Sequence, residues 1–99
     1  MQVKLNDALS KLNAIKGQLF TKVMEIDAMS VEIYRPVKID LQAPHKQDEL
    51  YVIVSGSGEF LNDGKRTTFN AGDVLFVAAE AEHRFENFTD DFVTWVIFF

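Results

Sequence analysis

The chain has 99 residues, of which 47% are hydrophobic and 12% aromatic, and this composition is typical of one globular domain with one core. The absence of cysteine excludes disulfides, thiolate metal sites and thiol nucleophiles, so only histidine and oxygen ligands could hold a metal. The formal net charge of -5 argues against nucleic acid or an anionic membrane as a partner, because both require a basic surface. Residues 1–20 contain no long apolar stretch, so we expect no signal peptide or membrane span and a cytoplasmic location.

An amphipathic pattern predicts a short N-terminal helix over residues 4–16. Apolar residues recur there at helical spacing and would form a stripe that packs on the core: Leu5, Ala8, Leu9, Leu12 and Ile15. Asn6 or Asp7 is placed to cap the helix, and Gly17 is placed to end it.

After Gly17 the pattern changes to the alternation of short strands. The predicted strands are 20–26, 31–35, 38–42, 50–54, 58–61, 66–69, 74–78, 84–88 and 92–99. Turn-forming residues separate several of them, as in Asn62-Asp63-Gly64 and Asn70-Ala71-Gly72-Asp73. Many short strands with no helix between them predict an all-β fold, an antiparallel sandwich or barrel that follows the N-terminal helix.

Two of these strands, Val74–Val77 and Val93–Phe99, are apolar on both faces. In an antiparallel sheet this pattern means that both faces are covered. One face would meet the core, and the other would meet either the N-terminal helix or a second subunit. Because so small a domain has little else to cover the second face, we expect a homodimer.

A histidine and a carboxylate lie four residues apart in the segment His45-Lys46-Gln47-Asp48-Glu49. In one straight strand their Cα atoms would be about 13 Å apart, which is too far for a shared metal. If Lys46–Asp48 instead turns the chain, His45 ends one strand and Glu49 begins its antiparallel neighbour, with Cβ atoms about 4.5–5.5 Å apart. Alternation from Glu49 then places Tyr51 and Ile53 on the same face.

The second of the two histidines, His83, also begins a predicted strand after a turn. Two histidines and one carboxylate form a ligand set that suits Fe(II), Mn(II) or Zn(II) and leaves coordination positions open for a substrate. The alternative is a polar cluster that holds only hydrogen bonds.

At these residues the chain resembles the cupins, small β-barrels with two sequence motifs. The second half of the first motif, G-x5-H-x-H-x3,4-E-x6-G, is matched by His45-x3-Glu49-x6-Gly56, within residues 39–56. The second motif, G-x5-P-x-G-x2-H-x3-N, is matched in spacing over residues 72–87 by Gly72-x5-Ala78-x-Glu80-x2-His83-x3-Asn87. The resemblance implies one cupin-like jelly-roll barrel over residues 1–99 and a divalent ion such as iron, manganese, zinc or nickel.

This chain departs from the cupin motifs at positions that bear on the metal site. The first histidine of the first motif falls on Ala43, which reduces the implied ligand set to His45, Glu49 and His83. Gln47 is a candidate fourth ligand through its amide oxygen, although such an amide commonly caps its own turn. Ala78 and Glu80 replace a proline and a glycine, and the glycine permits a left-handed turn that Glu80 would either strain or reshape. The family also includes members without metal.

Several functions remain open on this basis. Tyr51 is a candidate to donate a hydrogen bond or a proton to a substrate, or else is a core aromatic. Phe76, Phe85 and Trp95 could line a ligand pocket, although aromatic residues on strands are more often core. The candidate functions are a metal-dependent oxygenase or isomerase acting on a small organic molecule, a metal-free small-ligand binding module, and a structural dimer.

Overall fold

The computed structural model describes residues 1–99, with one helix and eight strands. The elements are α1 (Leu5–Asn13), β1 (Phe20–Ile26), β2 (Met29–Tyr34), β3 (Glu49–Ser55), β4 (Ser57–Asn62), β5 (Lys65–Asn70), β6 (Val74–Val77), β7 (His83–Glu86) and β8 (Val93–Phe98). No helix has the length and apolar composition needed to span a bilayer.

The strands form two antiparallel sheets that pack face to face. The larger sheet has the order β1-β2-β8-β3-β6, and the smaller has the order β5-β4-β7. Alternating residues of both sheets point inward and form a core of Tyr34, Tyr51, Ile53, Phe60, Phe69, Val77, Phe85, Phe92 and Val96. Because apolar side chains of both inner faces leave water together, this core is the main source of stability. The predicted all-β antiparallel jelly-roll with a short N-terminal helix is confirmed.

Helix α1 covers the outer face of the larger sheet. Ala8 and Leu12 of the helix are fully buried against Ile33 of β2 and Val93 of β8. This contact explains why β8 is apolar on both faces, because Val93 meets the helix and Val96 meets the core. No second subunit is needed to cover β8, and the homodimer stays a prediction.

The bounds and cap of the helix differ from the prediction. The helix begins after Lys4, whose side chain makes no capping bond, so neither Asn6 nor Asp7 caps it. It ends at Asn13 rather than at residue 16, and Ile15 lies outside it with 63% of its surface exposed. Leu12 is the last buried residue of the apolar stripe, and the residues after Asn13 leave the helix and lead into β1.

The predicted strand over residues 38–42 is wrong. This segment forms a loop with a single isolated bridge between Val37 and Ile39, and Leu41 is 83% exposed. The inward side chain of this alternating segment is Asp40, which forms hydrogen bonds with residues of other elements. These bonds hold the loop in place without a strand partner. The apolar residues beside Asp40 therefore face outward, around the opening of the barrel.

Candidate metal centre

Glu49 opens β3 in the middle of the larger sheet, where it pairs with Val77 of β6 and Phe98 of β8. Its side chain points into the barrel and is fully buried, followed on the same face by the buried Tyr51 and Ile53. The predicted alternation from Glu49 is therefore confirmed. An ionised carboxylate in such a position requires a positive partner, since burial of an unpaired charge is strongly unfavourable.

His45 reaches Glu49 through a bend of the backbone rather than from a neighbouring strand. The chain bends at Lys46 and Gln47, as predicted, but the strand that was expected to end at His45 is absent. The His45 carbonyl instead accepts a hydrogen bond of 2.6 Å from the backbone N–H of Glu80. This bond ties the loop before β3 to the loop between β6 and β7, and so brings the two histidines to the same end of the barrel.

His83 is oriented by the turn that precedes β7. Its Nδ1 lies 2.9 Å from the Ala81 carbonyl oxygen, which can only accept, so Nδ1 carries the proton and donates. In the neutral ring this leaves the lone pair of Nε2 free, pointing at Glu49 Oε2 at 3.0 Å. Such a backbone bond is the usual way in which a protein orients a metal-binding histidine.

The turn before His83 contains the glycine position that Glu80 replaces. Glu80 has a φ of 68°, so it adopts the left-handed conformation that the motif glycine would provide. The turn is therefore kept and not reshaped, at the expense of backbone strain. Ala78, in place of the motif proline, is exposed.

The side chains of His45, Glu49 and His83 converge on one point. Their candidate ligand atoms all lie within 4.8 Å of one another, and His45 Nε2 is 3.4 Å from Glu49 Oε1. Both histidine Nε2 atoms and both Glu49 oxygens are buried and lack a hydrogen bond of good geometry. The two Glu49 oxygens and the Nε2 of a neutral His83 are all acceptors, so they cannot satisfy one another unless a proton or a cation lies between them. The three residues therefore fit a divalent cation.

The same geometry makes a proton the competitor of a cation at His83. Burial lowers the pKa of His83, but the protonated ring would donate a hydrogen bond to Glu49. That bond, the bond to the Ala81 carbonyl and the charge of Glu49 outweigh burial and raise the pKa above its ordinary value. A protonated His83 would pair with Glu49, whereas a neutral His83 offers Nε2 to a metal. Either a proton on His83 or a bound metal ion could therefore compensate the negative charge of Glu49.

The structure places Gln47 away from these three residues. Its Nε2 donates a hydrogen bond of 2.8 Å to the Ala28 carbonyl, and the side chain is exposed. Ala43 has no ligand atom. The protein thus brings three ligands together, and the other coordination positions of a bound ion would be open.

Tyr51 lies below the centre with its hydroxyl group already engaged. The hydroxyl donates a hydrogen bond of 3.1 Å to Gln42 Oε1, and the ring packs edge-on against Phe85. Burial, with the nearby charge of Glu49, raises the pKa of Tyr51 well above its ordinary value. Tyr51 is therefore a neutral hydrogen-bond donor that belongs to the core.

A cavity of about 840 Å³ opens beside the centre, and His45 forms part of its wall. Its hydrophobic lining consists of Leu19, Phe20, Tyr34, Val37, Ile39, Leu41, Val96 and Phe98. None of the three aromatic residues predicted as pocket candidates lines it: Phe85 is core, Trp95 packs near the helix, and Phe76 is half exposed on β6. A cavity of this size can hold a small organic molecule next to the metal ligands.

The sequence reading missed Asp40, which holds the cavity loop in place. Asp40 is 4% exposed and accepts hydrogen bonds from the Tyr34 hydroxyl at 2.5 Å, the Phe85 N–H at 2.8 Å, and both the backbone and side-chain nitrogens of Gln42. Gln42 in turn accepts the bond from Tyr51. The sequence signal for this role is only the acidic residue between Ile39 and Leu41, and the same pattern is also typical of an exposed strand.

The fold and this centre define a small jelly-roll protein with a candidate three-ligand metal site, and comparison with known proteins assigns its family. The family model described as "Cupin domain" matches residues 31–99. An uncharacterised protein of Streptomyces coelicolor is 30% identical over 94 residues, which cover 93% of this chain and 90% of that protein. The chain belongs to the cupin domain family.

Two solved structures show the same fold. A cupin superfamily protein of Desulfitobacterium hafniense has a TM-score of 0.70 at 20% identity, and the match covers 99% of this chain and 91% of that one. A cupin-2 domain protein of Shewanella frigidimarina has a TM-score of 0.70 at 13% identity, with 96% and 91% covered. At such low identity the likeness concerns the fold alone.

Proposed function

We propose that this cupin binds one divalent metal ion through His45, Glu49 and His83, and that the adjoining cavity receives a small molecule. The convergence of four buried side-chain atoms that lack hydrogen-bond partners carries the proposal: Nε2 of His45 and His83, and both carboxylate oxygens of Glu49. An ion bound there would supply positive charge and open coordination positions for a ligand oxygen or nitrogen. The chain itself orients the ligands, through the Ala81 carbonyl at His83 and the Glu80 N–H at the His45 backbone.

The position of the cavity supports a role in small-molecule binding. His45 is both a member of the ligand set and part of the cavity wall, and its side chain is 37% exposed, whereas those of Glu49 and His83 are buried. A molecule in the cavity would therefore approach the ion from the side of His45. The apolar lining would exclude water from the rest of that molecule.

Metal content measured by elemental analysis tests the proposal. We expect about one equivalent per chain in the wild type after reconstitution, and a large loss in His45→Ala, Glu49→Ala and His83→Ala, because each substitution removes one of three ligands. Gln47→Ala is the matched control, since the Gln47 amide binds Ala28 and should leave the metal content unchanged. Equal metal in all five proteins would contradict the proposal.

The second candidate is a metal-free small-ligand binding module. The raised pKa of His83 favours it, because a proton shared between His83 and Glu49 would satisfy the centre without metal. Thermal-shift measurements separate the two functions. Stabilisation by organic compounds in the presence of chelator, with none by divalent metals, would favour the metal-free module.

A further inference from the structure

The wall of the cavity contains a carboxylate that has no partner within the chain. Glu32 lies on β2, in register with Val96 of β8, which pairs on its other side with Tyr51. This register places Glu32 on the inner face of the sheet, and its side chain lines the cavity. Lys22 is opposite Glu32 on β1, but its ammonium group is bound to Glu25 at 2.7 Å. Glu32 is left half-buried without a hydrogen bond or an ion pair.

A second acceptor in the same cavity also lacks a partner. Gln18 Oε1 is buried, lines the cavity and forms no hydrogen bond. Neither Glu32 nor Gln18 is needed to complete the fold, since no protein donor reaches them. A buried acceptor without a partner, as at Gln18 Oε1, costs stability, and the half-buried Glu32 carboxylate in the same cavity lacks a counter-charge. The two groups together indicate a ligand that supplies donors.

Most donors of the cavity wall are, by contrast, already used. The Tyr34 hydroxyl and Gln42 Nε2 both bind Asp40, and Gln47 Nε2 binds Ala28. The Ser30 hydroxyl, the Gln18 side-chain amide nitrogen and the exposed Lys46 ammonium group lack an intramolecular acceptor. The cavity thus offers unpaired acceptors in its interior and a free cation only on an exposed side chain.

We propose that the cavity selects a small molecule with an apolar body and a hydrogen-bond-donating head, an amine or a hydroxyl group, that binds Glu32 and Gln18 Oε1. The apolar body would lie against the residues that line the wall, among them Phe20, Val96 and Phe98. This inference rests on the proposed small-molecule function of the cavity but not on the presence of metal. Carboxylate heads would be disfavoured by repulsion from Glu32.

The electrostatics of Glu32 agree with this assignment. Burial raises the pKa of Glu32, Lys22 and His45 lower it, and Glu49 raises it, with a net increase. The charge of this carboxylate is therefore undercompensated in the free protein. A ligand ammonium group would supply the missing compensation, and a hydroxyl group would supply one hydrogen bond.

The inference is tested with three probes that share a phenyl group on a three-carbon chain and differ only in the terminal polar group: 3-phenylpropylamine, 3-phenylpropan-1-ol and 3-phenylpropanoate. Dissociation constants are measured by NMR titration of the full chain in chelator, so that the result is independent of metal binding. We expect the amine, the alcohol or both to bind at least about tenfold more tightly than the carboxylate, because only these heads donate to Glu32. Tighter binding of the amine would show that the cavity selects an ammonium head. Equal binding of the amine and the alcohol would show that it accepts a hydroxyl head as well.

The Glu32→Gln variant supplies the residue-level test. It should weaken amine binding about tenfold, because it removes the charge while keeping the shape. Glu82→Gln, an equal change of charge on an exposed loop residue, should leave all three constants unchanged. Tightest binding of the carboxylate, no binding of amine or alcohol at millimolar concentration, or unchanged amine binding in Glu32→Gln would overturn the inference. Absence of metal in the elemental analysis, with amine binding through Glu32 retained, would refute only the metal site.

Discussion

Replacement of Glu80 by glycine should stabilise the protein. Glu80 has a φ of 68°, and a side chain in the left-handed region costs about 1–2 kcal/mol relative to a right-handed one. Glycine avoids that strain but loses about 0.5–1 kcal/mol through the greater freedom of the unfolded chain. The expected net gain is therefore about 0.5–1 kcal/mol, which for a domain of this size raises Tm by about 2–8 °C.

Thermal unfolding followed by circular dichroism in chelator measures this gain. Glu80→Ala is the matched control, because it removes the same exposed carboxylate but keeps the Cβ atom that causes the strain. The Glu80 N–H bond to the His45 carbonyl is a backbone bond, so Glu80→Gly should also keep the metal content of the wild type. An unchanged Tm in Glu80→Gly, or an equal rise in Glu80→Ala, would refute the assignment of strain to this residue.

Three further substitutions or conditions probe the barrel and its centre. Gly56→Ala should lower the free energy of unfolding, measured in urea, far more than Gly64→Ala. Both glycines have positive φ, but only the new Cβ at residue 56 would clash, 2.6 Å from the Phe92 Cα. Equal losses of unfolding free energy in the two variants would contradict this clash. Asp40→Asn should lower the free energy of unfolding by about 1–3 kcal/mol, since it disrupts a buried acceptor of several bonds, and a neutral effect in urea unfolding would count against that network. The raised folded pKa of His83 stabilises the metal-free protein fully below pH 6.5, and this contribution is lost as pH rises through the raised value. Tm in chelator should thus fall over that range more in the wild type than in His83→Gln, while metal affinity rises as the competing proton leaves.

Local pattern was sufficient to predict most strands and the inward face of β3. Alternation placed Glu49, Tyr51 and Ile53 on one side, and the structure buries all three. Three of the four residues in the predicted ligand set, His45, Glu49 and His83, converge in the structure, and their role as metal ligands stays a prediction. These features depend on spacing within one strand or on motif positions, and both can be read along the chain.

The features that the sequence did not reveal depend on contacts between distant residues. Asp40 accepts a hydrogen bond from Phe85, 45 positions away, and this contact turns an alternating segment into a loop. The same applies to Gln47, whose amide reaches Ala28, and to Glu32, whose isolation follows from the pairing of Lys22 with Glu25. Alternation alone cannot show which side chain finds a partner across the fold.

Two acidic groups of this protein, Glu49 and Glu32, lack a fixed cation and lie near His45, which contacts Glu49 and lines the cavity with Glu32. Glu49 is fully buried between two histidines, and Glu32 is half-buried on the wall that also exposes His45. Each carboxylate reduces stability unless a positive or donating group reaches it, and the fold provides neither with a fixed cation. A sequence selected for stability alone would replace both with apolar residues. Under the two proposals, a cation at Glu49 and a donor group at Glu32 would complete the site together.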